Sequence, residues 1–166
     1  MKDLPGAVFD CNVLLQAAAR DESVAAKCLN LAESGLIKLY VSREILTEVE
    51  DVLNRQEIRA HFPDLSDEIV GAFLKRLQNL SVLVRLVPKK FSYPRDEEDE
   101  PYINLAVAAS ADFIISRDKD LLDLMTGHTN ECKEFRQRFR SLRVVEPAEF
   151  LKLIEESKTS RSENNI

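Results

Sequence analysis

The sequence has three cysteines and two histidines in 166 residues. Cys11, Cys28 and Cys132 are odd in number and spaced unlike any zinc motif, so neither a disulfide framework nor a Cys/His metal site is written into the chain. They read as reduced thiols of a cytosolic protein. His61 and His128 have no neighbour that would make either a catalytic base. No signal peptide is evident and no apolar run is long enough to span a bilayer, so neither secretion nor a membrane span is expected. A basic surplus is missing as well. The net charge is −6 at pH 7, so the molecule's overall field does not attract nucleic acid, and a polyanion would have to be met locally, through a metal or clustered Arg and Lys. No repeat or interdomain linker is visible. With 45% apolar residues the chain can bury the core of one globular domain and has no room for a second.

What the chain does have is carboxylate, 29 Asp and Glu against 23 Lys and Arg. Their most informative stretch is YPRDEEDEPYINLAVAASADFIISRDKDLL, Tyr93 to Leu122. The acids Asp96, Glu97, Glu98, Asp99 and Glu100 precede Pro101, which suits the first turn of a helix because its missing N–H leaves no bond unmade. Tyr102, Ile103, Leu105, Ala106 and Ala109 then recur at helical spacing, with Asp99 or Glu100 as the cap. Asp112 leads into Phe113-Ile114-Ile115, too short for a helix and rich in β-branched residues, which reads as an interior strand. Ser116-Arg117-Asp118-Lys119-Asp120 stands at its carboxyl end, before Leu121 and Leu122 open another helix.

Gly6 to Phe9 is a second short apolar strand, and it delivers Asp10 to its tip in the same way. Open α/β sheets bind ligands at the carboxyl ends of their strands. If both strands are central and parallel, Asp10 meets Asp118 and Asp120 across one crevice. Converging carboxylates raise each other's pKa unless a cation intervenes. Oxygen ligands without organised Cys or His favour Mg²⁺ or Mn²⁺ over zinc.

The remaining chain alternates helices and strands. Helical pieces are expected from Val13 to about Ala19 and from Val24 to about Ala32, the second closed by Gly35. Leu36 to Val41 forms a strand, and Ser42 caps a helix from about Arg43 to Asn54 in which Glu48 lies beside the apolar stripe and can lean towards the crevice. A helical arm follows over about 56–80, then a third strand from Val82 to Val87 and a basic-aromatic loop, Lys89 to Tyr93. Thr126 to Cys132 reads as loop. Arg136, Arg138 and Arg140 alternate and read as a solvated surface more readily than as an RNA groove. Val144-Val145 is the fifth strand, Pro147 starts a last helix to about Glu156, and 157–166 is a polar tail expected to be disordered.

VFDCNVLL, SREILTEVEDVL, DEPYINLAVAASADFIISRDKDLL and VVEPAEFL, in that order along nearly the whole chain, resemble the PIN-domain family of metal-dependent ribonucleases, in particular its VapC-like toxins. The resemblance implies an α/β fold: a three-layer α/β/α sandwich over 1–156, with a central, mostly parallel five-stranded sheet in the order 3-2-1-4-5. It implies that Asp10, Glu48, Asp99, Asp118 and, as an auxiliary, Asp120 are catalytic. Asp10, Asp99 and Asp118 would hold Mg²⁺ or Mn²⁺, with Asn12 and Ser116 in support. Two departures stand out. Cys11 replaces a more usual Thr, and Arg117 replaces a small residue, which puts a cation at the mouth of the site where it could engage a phosphate or pair with Glu97 or Glu98.

The implied reaction is hydrolysis of an RNA phosphodiester by metal-activated water. The implied setting is a cytoplasmic toxin, a homodimer, with a basic antitoxin segment covering the acidic cleft. The residues also bear on two rival readings. A haloacid-dehalogenase-like phosphohydrolase needs an acid two residues after the first Asp, where this chain has Asn12. A non-catalytic RNA- or protein-binding module would keep the fold without turnover.

Overall fold

Gly6–Phe9 is buried at every position because it runs through the middle of the sheet, covered on both faces. The structure is a computed structural model and describes residues 3–165. This strand, β1, pairs on one side with β2 (Lys38–Val41) and on the other with β4 (Phe113–Ile115); β3 (Ser81–Leu83) and β5 (Arg143–Val145) form the edges. All pairings are parallel, and the order is β3-β2-β1-β4-β5. The architecture is the expected three-layer α/β/α sandwich.

The chain builds outward from β1 to β3 and then returns to the far side of β1. The reversal in strand order therefore falls between β1 and β4, where an open α/β sheet leaves a crevice outside the strand ends. Register makes the consequence specific. Phe9 stands opposite Ile115, and one more residue along each strand brings Asp10 beside Ser116.

Each helix starts where a polar side chain ends a strand or turn. Asp10 caps α1 (Cys11–Ala19), Ser23 caps α2 (Val24–Glu33), Ser42 caps α3 (Arg43–Leu53) and Ser66 caps α5 (Asp67–Leu80), each accepting from a backbone N–H three residues on. Between α3 and α5 lies the short α4 (Gln56–His61), with no buried residue. α5 does not project as an arm; Val70, Phe73 and Leu77 bury one face of it, and it lies against α1 and α3. α2 closes with Gly35 at φ 72°, the left-handed conformation that glycine adopts without strain, and Leu36 N–H reaches back to the Leu31 carbonyl. That closure delays β2 to Lys38. A single 3₁₀ turn (Glu97–Asp99) precedes α6 (Glu100–Ala108); α7 (Lys119–Thr126), α8 (Asn130–Arg138) and α9 (Pro147–Glu163) complete the chain.

Three further elements differ from the sequence expectation. β3 ends at Leu83 instead of Val87, because its partner β2 stops at Val41, where Ser42 turns into the cap of α3; Val84 makes one last bond to the Val41 carbonyl, at 2.8 Å. Leu86 beyond it is 79% exposed. The segment read as loop before Phe135 contains the start of α8, capped by Thr129. Its Phe135 is fully buried against Phe91 and Phe139, and Arg136 donates to the Leu124 and Gly127 carbonyls at the end of α7. α9 continues past Glu156 to Glu163, since Ser157 to Glu163 holds no Gly or Pro to stop it. Those added residues are all exposed.

Candidate metal centre

Asp10 continues the β1 ladder, its N–H bonding to the Ile115 carbonyl at 3.1 Å. Its Oδ1 accepts from Val13 N–H at 2.9 Å as the cap of α1, and its Oδ2 accepts from the Ser116 hydroxyl. The Ser116 Oγ accepts in turn from Asp118 N–H at 2.9 Å, and Asp118 Oδ1 accepts from Asp120 N–H at 2.8 Å. A continuous relay therefore fixes three acids across the switch point. Burial is the main cause that pushes the Asp10 carboxyl up to about 6; the bonds from Ser116 and Val13 pull it down, and the charges of Asp118 and Glu48 push it up again.

The acidic run folds into the 3₁₀ turn, whose three-residue repeat sets Asp96 and Asp99 on one side. Asp96 caps this turn through Glu98 N–H at 3.1 Å. Asp99 occupies the cap position of α6 but caps nothing; it is 7% exposed and its Oδ2 has no hydrogen-bond partner. Desolvation, then the neighbouring charges of Asp118 and Asp96, hold its carboxyl far above the ordinary aspartate value. Glu100 faces elsewhere, accepting from Tyr93 N–H at 2.7 Å and pairing with Lys89 at 3.0 Å. Of the two neighbours that the sequence left open, Asp99 is the one in the crevice.

One carboxylate oxygen from each of Asp96, Asp99, Asp118 and Asp120 lies within 4.8 Å of the others. This group differs from the expected ligand trio. It contains Asp99 and Asp118, adds Asp96 and Asp120, and does not include Asp10, both of whose oxygens are already engaged by Val13 and Ser116. Asp10 and Glu48 face the same crevice, a space of about 570 Å³ shared with Asp96, Asp99 and Asp118. Glu48 Oε2 accepts from the buried Tyr102 hydroxyl at 2.9 Å. Burial is the main cause that raises the Tyr102 phenol, and the Glu48 carboxylate beside it adds to the rise, so the phenol stays a donor. Cys11 is pushed up to about 12, chiefly by desolvation, and is no nucleophile. A larger groove of about 700 Å³ lies between α3, α5 and β3 but sets a single carboxylate, Glu50, among Arg43 and Lys75.

Other expected residues take different places. Asn12 is exposed on the crevice wall and does not orient Asp10; Ser116 and the Val13 amide do that. Arg117 neither lines the crevice nor pairs with Glu97 or Glu98. Side chains alternate along an extended segment, so with Ser116 turned to Asp10 the next residue turns away, and Arg117 donates to Gln16 on α1. Asp120 is shared: Arg95 Nε donates to it at 2.6 Å while the same guanidinium holds Asp123 at 2.7 Å.

Asp96, Arg95, Tyr102 and Asn104 were not singled out for the site. Asn104 is buried within α6 and accepts from Lys90 and Phe91 N–H while donating to the Phe91 and Glu100 carbonyls, which ties down the loop before the acidic turn. A polar residue in the middle of an otherwise apolar helical stripe was the available signal. For Asp96 it was the three-residue spacing to Asp99.

The donor set fits a hard divalent cation, being all carboxylate oxygen, with one buried oxygen left bare and its carboxyl hard to ionise unaided. Among the described residues no helix is long and apolar enough to cross a membrane. No curated protein is similar enough to the chain to match it. The family model of the PIN domain does match, over residues 6–120, a span that starts with β1 and ends on the last acid of the cluster. With more than half of its length matched, the order of its sheet and four acids gathered at the switch point, the chain belongs to the PIN-domain family.

Proposed function

We propose that the protein is a Mg²⁺- or Mn²⁺-dependent endoribonuclease that hydrolyses RNA phosphodiester bonds. The observation that carries this reading is the bare, buried Oδ2 of Asp99 among the oxygens of Asp96, Asp118 and Asp120. Asp99 and Asp118 would hold the cation, with Asp96 beside them and Asp10 facing the same crevice from the β1 side. A bound ion lowers the pKa of its water and offsets charge on the scissile phosphate. Glu48, with Oε2 committed to Tyr102, keeps its second oxygen to orient the attacking water. Asp120 acts through its pairing with Arg95, as a support to the cluster.

The likeness to VapC-type toxins extends the proposal to a cytoplasmic toxin that works as a homodimer under the control of an antitoxin. A basic antitoxin segment would complement the exposed Glu44, Glu97 and Glu98 at the crevice mouth. A second reading, a binding module without turnover, draws on Arg95, which already neutralises one corner of the cluster. The phosphohydrolase reading has no such support, since the Asn12 side chain is an amide and cannot transfer a proton, and the Asp10 carboxylate bonds to Ser116 and Val13 instead.

The test is calorimetric titration of Mn²⁺ into the wild type, Asp10→Asn and Asp118→Asn, with cleavage of a labelled single-stranded RNA followed on the same samples. Binding and cleavage in the wild type, with cleavage lost in both variants, is the expected result. Full activity in a cleanly purified variant would refute the assignment, and wild-type Mn²⁺ binding without cleavage would favour the binding module.

A further inference from the structure

An RNA strand entering this crevice meets a strongly negative surface. Eight carboxylates line it, and the only cationic side chain among the lining residues is Arg55. Even with divalent ions bound at the Asp99 corner, the strand's other phosphates face uncompensated acid, because the protein's net charge of −6 offers no general attraction.

Arg55 sits at the junction of α3 and α4. Its backbone is fixed, its N–H bonding to the Val52 carbonyl at 3.2 Å and its carbonyl accepting from Arg59 N–H at 3.0 Å. Glu48 and Val52 lie four residues apart on one stripe of α3, and Arg55, in extended backbone just past the end of that helix, lines the same crevice. The Arg55 side chain, in contrast to its backbone, is exposed and committed to nothing: it makes no cap bond, and no ion pair among the described residues.

The other arginines nearby are occupied. Arg59, four residues on, donates to the Leu53 and Leu65 carbonyls and pairs with Asp67 at 3.1 Å. Arg95 is held between Asp120 and Asp123, and Arg117 is turned to Gln16. An uncommitted guanidinium in a carboxylate-lined crevice, rather than paired with one of those acids, is a group available to an incoming anion. The planar fork of Arg matches two oxygens of a phosphate.

We infer that Arg55 is a substrate-binding residue that grips a phosphate of the RNA strand next to the one being cut, on the Glu48 side of the crevice. The inference rests on the nuclease reading. It assigns substrate registration to the junction of α3 and α4, apart from the acids of the 3₁₀ turn and of the segment after β4 that would hold the cation.

The experiment compares the wild type, Arg55→Gln and Arg55→Lys in three measurements: Mn²⁺ affinity by calorimetry, steady-state cleavage of a fluorescein-labelled single-stranded oligoribonucleotide, and the dependence of kcat/KM on salt. Arg55→Gln is expected to bind Mn²⁺ as the wild type does and to melt at the same temperature. Its KM is expected to rise roughly tenfold or more, as for loss of a charge-assisted contact. The slope of log kcat/KM against log salt is expected to fall by about 0.7, the counterion release of one single-strand phosphate. Arg55→Lys should recover part of the KM and the full slope. An unchanged KM and slope in Arg55→Gln would overturn the inference while leaving the nuclease intact; so would loss of Mn²⁺ binding, which would make Arg55 a support of the metal site. A wild type that neither binds Mn²⁺ nor cleaves overturns the nuclease reading and this inference with it.

Discussion

The Ser116 hydroxyl donates to Asp10 Oδ2, joining the residue after β4 to the residue after β1, 106 positions apart in the chain. The Ser116 Oγ itself accepts from Asp118 N–H, so one hydroxyl orients acids on both sides of the switch point.

Ser116→Ala removes both contacts from a fully buried site. The expected cost is about 1–2 kcal/mol of stability, read from urea unfolding. The hydrogen bond that holds the Asp10 carboxyl down disappears, so it rises further above about 6. Mn²⁺ affinity should fall roughly tenfold by calorimetry. Unaltered affinity would mean that the relay through Ser116 does not shape the centre.

The metal-free protein should lose stability as pH rises towards neutrality. Asp10 has an ordinary value of 3.8 and a folded value of about 6, so between these the folded state binds more protons than the unfolded chain and stability falls with rising pH. The burden is absent below the unfolded value, fully present above the folded one, and on the order of 3 kcal/mol for a shift of this size. Asp99 shifts in the same direction and extends the window upward. Mn²⁺ takes the place of the protons, so the rise in Tm on adding it should be larger at about pH 7.5 than at about pH 5. A metal-induced rise equal at both pH values would count against the raised carboxyls.

Asp99→Asn discharges the most burdened of the four acids. Without metal at about pH 7.5 the variant should be more stable than the wild type by about 1 kcal/mol, roughly 2–4 °C in Tm for a chain of this size. Its Tm should no longer respond to Mn²⁺. A variant less stable than the wild type in metal-free buffer would show that Asp99 is a structural residue and not a strained ligand.

Asn104→Ala tests the loop behind the site. It leaves Lys90 N–H, Phe91 N–H and the Phe91 carbonyl without their partner, at bonds of 2.8, 2.9 and 3.1 Å. A loss of about 3 kcal/mol is expected on urea unfolding. The same loop carries Tyr93, whose hydroxyl reaches the Asp120 carbonyl at 2.6 Å, so Mn²⁺ affinity should drop as well. A stability change under about 0.5 kcal/mol would contradict the anchoring role.

The central strands β1 and β4 were legible because each is a short apolar run ending in a polar residue, and a core strand must be apolar wherever both faces are covered, while the order of the sheet followed from the resemblance to the PIN-domain family. Asp10 and Asp118 were legible as acids that follow such runs, and Asp99 through the resemblance, as the acid before an apolar helix. Arg117 misled because a residue's direction at a strand end depends on which neighbour turns inward, and one position of alternation sends it to Gln16. Asp96 was hidden among five consecutive acids, where nothing but the turn itself separates a ligand from a solvated neighbour.

By itself, the sequence determined the elements, their caps and the presence of acids at two strand tips, since these follow from local patterns of burial and hydrogen bonding. Only the tertiary structure decided how those acids are distributed: Asp10 held by Ser116, Asp120 shared with Arg95, Glu100 drawn off to Tyr93, Asp99 left bare, and Arg55 left without a partner. Each of these depends on atoms brought together from distant parts of the chain, and a carboxylate's role is set by the partners around its oxygens, which only the packed fold supplies.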